Sequence, residues 1–139
     1  MGKKVTKADL NRSARKLLAF LERNLEEEVF EYPFSHSFPR NCCESVSLIL
    51  AYLFEEKYCL DNVRIIKGTK RGHEHHLWVT VGDLIYDLTA HQFPRRRPII
   101  GVYYHRLPLS YPDWEIEKGR DFVDREEVVR LFRNGVIPF

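Results

Sequence analysis

Three stretches of the chain predict an α+β fold. Thr6 to Phe30 and Cys43 to Phe54 place apolar side chains at helical spacing, and His76 to Thr89 alternates as a β-hairpin. The 139 residues suit a single domain spanning 1–139, large enough to bury a core without disulfide or metal staples. Hydrophobic residues at 44% and charged residues at 30% are ordinary for a soluble globular protein. A formal net charge of +2 supplies no field that favours nucleic acid or a membrane surface. The three cysteines, two of them adjacent, make no disulfide framework. No apolar run approaches a membrane span and no signal-peptide pattern is present. The expectation is a cytoplasmic protein, or one exported by a route without a cleavable signal.

In chain order, Met1-Gly2 formally fits a myristoylation pattern but reads more simply as an initiator methionine before a basic lead-in. Thr6 caps the first helix, with Asp9 three residues on. Leu10, Ala14, Leu17, Leu18, Leu21, Leu25 and Val29 form its apolar stripe, which predicts a cover for the sheet or the central helix. Glu31 to Asn41 is a loop rich in aromatics and turn formers that forms one wall of a site. Cys43 opens the central helix, whose Val46, Leu48, Ile49, Leu50, Leu53 and Phe54 are apolar. Val63 to Gly68 reads as a strand, Thr69 to Glu74 as a polar mobile loop, and Arg95-Arg96-Arg97 as a solvated turn. Ile99 to Arg106 is a further β-like run, and Tyr111 to Trp114 a turn with aromatic anchors. A last short helix is opened by Asp124 with Glu127, turns Val128, Val129, Leu131 and Phe132 inward, and stops at Gly135.

The hairpin and the central helix carry the chemistry. Gly82-Asp83 between two β-rich runs is a two-residue turn signal, because glycine supplies the positive φ such turns need. That turn sets Val81 against Leu84, Val79 against Tyr86 and Leu77 against Leu88, an apolar layer for the core. The opposite face then carries His76, Trp78 and Thr80 with Ile85, Asp87 and Thr89, so His76 and Asp87 are diagonal neighbours and His75 points away. Cys43 sits at a helix start, where unpaired N–H groups and the dipole favour thiolate, the nucleophilic form. Cys59, among apolar neighbours, is the better structural cysteine. The backbone N–H of Cys43 is the candidate oxyanion donor. Asn41 before the nucleophile, Trp78 beside His76 and Gln92 after the Asp87 strand are the candidate cleft residues.

A metal site is the rival chemistry. His73, His75 and His76 with Glu74 and His91 offer ligand types, but on a strand His73 and His75 share a face that His76 does not. No His-Glu-x-x-His helix or Cys-x-x-Cys pair occurs. No metal and no cofactor are expected.

Cys43, His76 and Asp87, in that chain order on a helix start, a strand and the next strand, resemble the papain-like and transglutaminase-like cysteine enzymes. Cys43-x-x-x-Ser47 is similar to the helix bearing the papain cysteine. His76-Leu77-Trp78-Val79 resembles the His-x-Trp strand of the transglutaminase core, and Tyr86-Asp87-Leu88-Thr89 its Asp-x-Thr strand. Asp87-Leu88-Thr89-Ala90-His91-Gln92-Phe93, with the Cys-Cys pair, is similar to small bacterial members, some of them toxin or effector domains. The resemblance covers Pro39 to Phe93, the core of the domain. Ser37 stands where papain-like proteases carry an oxyanion glutamine, and Glu44 where transglutaminases commonly have tryptophan.

The resemblance implies a papain-like/transglutaminase-like core, with the long first helix and the Cys-bearing helix packed on a small antiparallel sheet. It implies a Cys-His-Asp triad acting on a protein or peptide amide through an acyl-enzyme. Hydrolysis comes first; deamidation, transamidation and acyl transfer share the same triad. Under the effector reading a cognate immunity or target protein is a partner. The non-enzyme rival is a binding module that keeps the fold.

Overall fold

The computed structural model describes residues 4–27 and 37–139. Helix α1 spans Lys7–Glu27 and helix α2 spans Cys43–Tyr58; strands β1 (Val63–Lys70), β2 (Glu74–Val81), β3 (Leu84–Asp87) and β4 (Ile99–Val102) follow. A short helix α3 (Arg106–Leu109), strand β5 (Asp113–Ile116) and helix α4 (Arg125–Arg133) complete the chain. The strands form one antiparallel sheet in the order β4-β3-β2-β1-β5. The fold is α+β, as predicted.

Helix α1 begins where its cap demands. The Thr6 hydroxyl accepts from the Asp9 N–H at 3.2 Å, and the Asp9 carboxylate accepts from the Thr6 N–H at 3.0 Å. Leu10, Ala14, Leu17 and Leu21 of the stripe are buried, while the side chain of Leu25 and all of Val29 lie outside the described residues, as does Gly2. Most of the expected 31–41 loop lies outside them too. Tyr86 of β3 ties α1 to the sheet by donating its hydroxyl to Asn11 Oδ1 at 2.6 Å.

Helix α2 is buried all round rather than along a stripe: every residue from Ser45 to Phe54 is buried. A helix that is apolar on all sides belongs inside a domain. It packs on β1 and β2 along one flank and on α1 and α4 along others. Tyr52 fastens the chain before α4 by donating to the carbonyls of Arg120 (2.5 Å) and Val123 (3.2 Å). Lys57 donates to the Phe139 carbonyl at 2.5 Å and so holds the C-terminus.

The hairpin has the predicted register: Val79 pairs with Tyr86, Thr80 with Ile85 and Val81 with Leu84, with Gly82 at φ 57° in the turn. Its two faces enter two different apolar clusters. Leu77, Val79, Val81, Leu84, Tyr86 and Leu88 join α1 and α2. Trp78 and Ile85 join Ala90, Ile99, Leu107 and Tyr111 on the other side.

Three expectations need correction. Half of the polar loop 69–74 is strand: Thr69 pairs with His75 and Lys70 with Glu74, and Arg71–His73 turn the corner. Tyr111 to Trp114 is not a turn throughout, because Asp113–Ile116 is strand β5 pairing with β1. All four β5 residues are exposed, so no buried alternation announced it. The run Ile99 to Arg106 keeps strand structure only to Val102, and Arg106 already belongs to α3. The last helix is as read, with the Asp124 carboxylate capping the Glu126 N–H at 3.0 Å, although Glu127 pairs with Arg130 instead of closing the cap.

Because α2 has no solvent face in its middle, truncating it leaves an unfilled hole. Leu53→Ala, at a fully buried position, is expected to cost about 2–5 kcal/mol in urea unfolding. Leu109→Ala, half exposed on α3, should change stability by less than ~0.5 kcal/mol.

Candidate active site

Cys43 is the first residue of α2. Asn41 precedes it in the left-handed region (φ 56°), which asparagine tolerates, and Cys42 occupies the N-cap without a side-chain cap. The first helical hydrogen bond runs from the Val46 N–H to the Cys42 carbonyl at 2.9 Å. The N–H groups of Cys43, Glu44 and Ser45 therefore have no carbonyl partner within the helix, which is the geometry an oxyanion donor requires. The Cys43 side chain is half-buried.

His76 on β2 and Asp87 at the end of β3 lie on the same sheet face, and both are buried. His76 Nε2–H donates to Asp87 Oδ2 at 2.5 Å. A carboxylate only accepts, so this bond places the proton on Nε2 and leaves Nδ1 free of Asp87, and Cys43 lies near enough to act on the imidazole's charge. The other carboxylate oxygen, Asp87 Oδ1, accepts from the Thr89 N–H (3.1 Å) and the Thr89 hydroxyl (3.2 Å). Gln92 Nε2 donates to the Thr89 hydroxyl oxygen at 3.3 Å. A hydrogen-bonded chain thus runs from Gln92 through Thr89 and Asp87 to His76, with Cys43 close by. The structure brings together all three residues singled out in the sequence.

The electrostatics follow from this packing. Burial alone would push His76 down, but the hydrogen bond it donates to Asp87 and the influence of Asp87 and Cys43 on its charged form outweigh it, and its pKa rises from 6.5 to about 9. Cys42 shows the opposite outcome. It is almost fully buried, and desolvation with the adjacent Cys43 and Asp87 raises its thiol to about 12. Cys42 is held as an inert thiol.

Several expectations change here. Cys59 is not the buried structural cysteine: it is exposed in a left-handed position that ends α2 (φ 53°), and Cys42 is the buried one. Trp78, expected to line the cleft, is 1% exposed and packs instead against His76, Tyr111 and Trp114. Gln92 is half-buried and supports Thr89, while Asn41 is exposed two residues before Cys43. Thr89 is the missed polar member, and its Asp-x-Thr spacing is a local signal, because such side chains bond backbone two residues away. Phe93 and Tyr111, which also pack on the His76 ring, carry no local signal.

Among the described residues no cluster of three or more His, Cys, Asp or Glu could hold a metal ion. His75 instead pairs its Nδ1 with the Thr69 hydroxyl at 3.0 Å, and His91 packs edge-on against Phe38. No described helix is long and apolar enough to cross a membrane. No family model, curated protein or solved structure matches the chain.

The raised His76 pKa fixes a sign for stability. A group that binds its proton more tightly when folded stabilises below its unfolded pKa and loses that contribution as pH rises through the folded value. The stability advantage of the wild type over His76→Gln, measured by thermal unfolding, should be full below about pH 6.5 and decline as pH rises through about 9. A difference that grows with pH across that window would contradict the assignment.

Proposed function

We propose that the protein is a cysteine-dependent amide hydrolase, a peptidase or protein deamidase, built on a papain-like/transglutaminase-like core. Cys43 is the nucleophile, His76 the acid–base and Asp87 the group that orients the imidazole. The observation that carries this reading is the buried His76–Asp87 bond joined to a half-exposed cysteine at a helix start. A structural histidine needs one such partner; one bonded to a carboxylate and set near a helix N-terminal thiol suits a triad.

The Cys43 proton passes to His76 Nδ1, giving a thiolate–imidazolium pair that Asp87 stabilises from the Nε2 side. The thiolate attacks the amide carbonyl, and the N–H of Cys43 faces the developing oxyanion. His76 Nδ1 gives its proton to the leaving nitrogen as the C–N bond breaks, leaving a thioester on Cys43. Water, deprotonated by Nδ1, then attacks the thioester and releases the acid and the free thiol. An acceptor amine in place of water would make the same site a transamidase. Its partners are protein or peptide substrates, and the effector reading adds a target or immunity protein.

The test separates the outcomes by product. Purified protein is incubated with a mixed peptide pool and with glutamine-containing proteins, following new amino termini and ammonia separately. New termini identify a peptidase and ammonia a deamidase. Cys43→Ala should abolish either, and Asp87→Asn should lower kcat/KM by roughly 10²–10⁴ through loss of the correct tautomer. For wild type, kcat/KM should fall as pH rises through about 9, where His76 loses the proton the leaving group needs. Turnover that survives in Cys43→Ala would remove the reading.

A further inference from the structure

Gly68 of β1 stands directly across from His76 of β2, and Trp114 of β5 stands across from Gly68 on its other side. Residues opposite one another in a sheet share a face, so a side chain at 68 would project beside the imidazole. Gly68 is not among the positive-φ residues, so the backbone conformation does not call for glycine. Space does. A Cβ at 68 would stand 2.6 Å from Trp78 Cη2, 2.7 Å from Trp78 Cζ3 and 2.7 Å from Tyr111 Cβ.

Those two residues are the ones stacked on the imidazole. The Trp78 and Tyr111 rings lie 5.9 and 5.8 Å from the His76 ring, tilted by 35° and 32°, and Phe93 meets it edge-on at 5.0 Å. Trp114 backs Trp78 at 5.6 Å and is itself anchored by its indole N–H, which donates to the Pro108 carbonyl at 2.9 Å. The Lys70 ammonium sits 4.8 Å from the Tyr111 ring centre. The charged and titratable groups around this block are Asp87 from β3, Cys43 from α2, and Lys70 and Glu74 at the β1–β2 corner.

We propose that Gly68 is a positioning residue for the catalytic pair: lacking a side chain, it admits Trp78 and Tyr111 against His76. The two rings then hold the imidazole where it meets Asp87 and Cys43 at once. The proposal rests on the Cys43–His76–Asp87 reading. In Gly68→Ala the methyl group must displace the Trp78 ring carbons and the Tyr111 Cβ, and the imidazole follows the rings. Tyr111→Leu removes one of the two rings without crowding the sheet.

The experiment follows the His76 ring signals by NMR across pH in wild type, Gly68→Ala and Tyr111→Leu, with iodoacetamide alkylation of Cys43 measured beside exposed Cys59. In both variants the His76 titration should move from about 9 toward 6.5. Cys43 alkylation at neutral pH should slow about tenfold or more while that of Cys59 is unchanged. Should Gly68→Ala fail to fold, Tyr111→Leu decides alone. Wild-type titration and alkylation in a folded variant would overturn the positioning role while leaving the triad intact. An ordinary titration of His76 in the wild type would overturn both.

Discussion

The structure depends on one buried hydrogen bond, His76 Nε2 to Asp87 Oδ2 at 2.5 Å. A carboxylate out of water is costly unless its oxygens are satisfied, and here both are, one by His76 and the other by Thr89. Removing one partner of such a buried pair typically costs about 3–5 kcal/mol, because the charge left behind has no solvent to meet it. The bond therefore constrains the hairpin as strongly as the hairpin positions the bond. A register slip of one residue would turn His76 into the α1–α2 core and put Leu77 in the site.

Helix α2 serves both the core and the site. Its middle is buried on every side, which immobilises the helix, and its first residue is the half-buried Cys43. The neighbouring cysteines receive opposite environments over one step of backbone: Cys42 is enclosed and held protonated, while Cys43 reaches the imidazole. Rigidity behind the thiol and accessibility in front of it are what a nucleophile requires.

Much of this was legible in the sequence because it is local. The Thr6–Asp9 cap, the apolar run after Cys43 and the Gly82-Asp83 turn each specify their own geometry within a few residues. The turn alone was enough to place His76 and Asp87 on one face. What stayed hidden was set at long range. Tyr111 lies 35 residues beyond His76 in the chain, and β5 pairs with β1 through residues that are all exposed, so neither left a periodic trace. Cys59 looked structural because Tyr58 and Leu60 flank it, yet the helix ends there and turns it outward. Trp78 looked like a cleft residue because it shares a face with His76, but it is buried over Gly68, in space that a side chain there would occupy.

The central claim is that Cys43, and neither of the other cysteines, is coupled to His76. Site-resolved iodoacetamide alkylation at mildly acidic pH, read by mass spectrometry of each cysteine peptide, tests it most directly. The account predicts that Cys43 is modified ahead of the exposed Cys59, that Cys42 stays unmodified, and that the lead of Cys43 disappears in His76→Ala. If Cys59 outpaces Cys43, or if His76→Ala leaves Cys43 as reactive as before, the coupling does not exist and the catalytic reading falls with it.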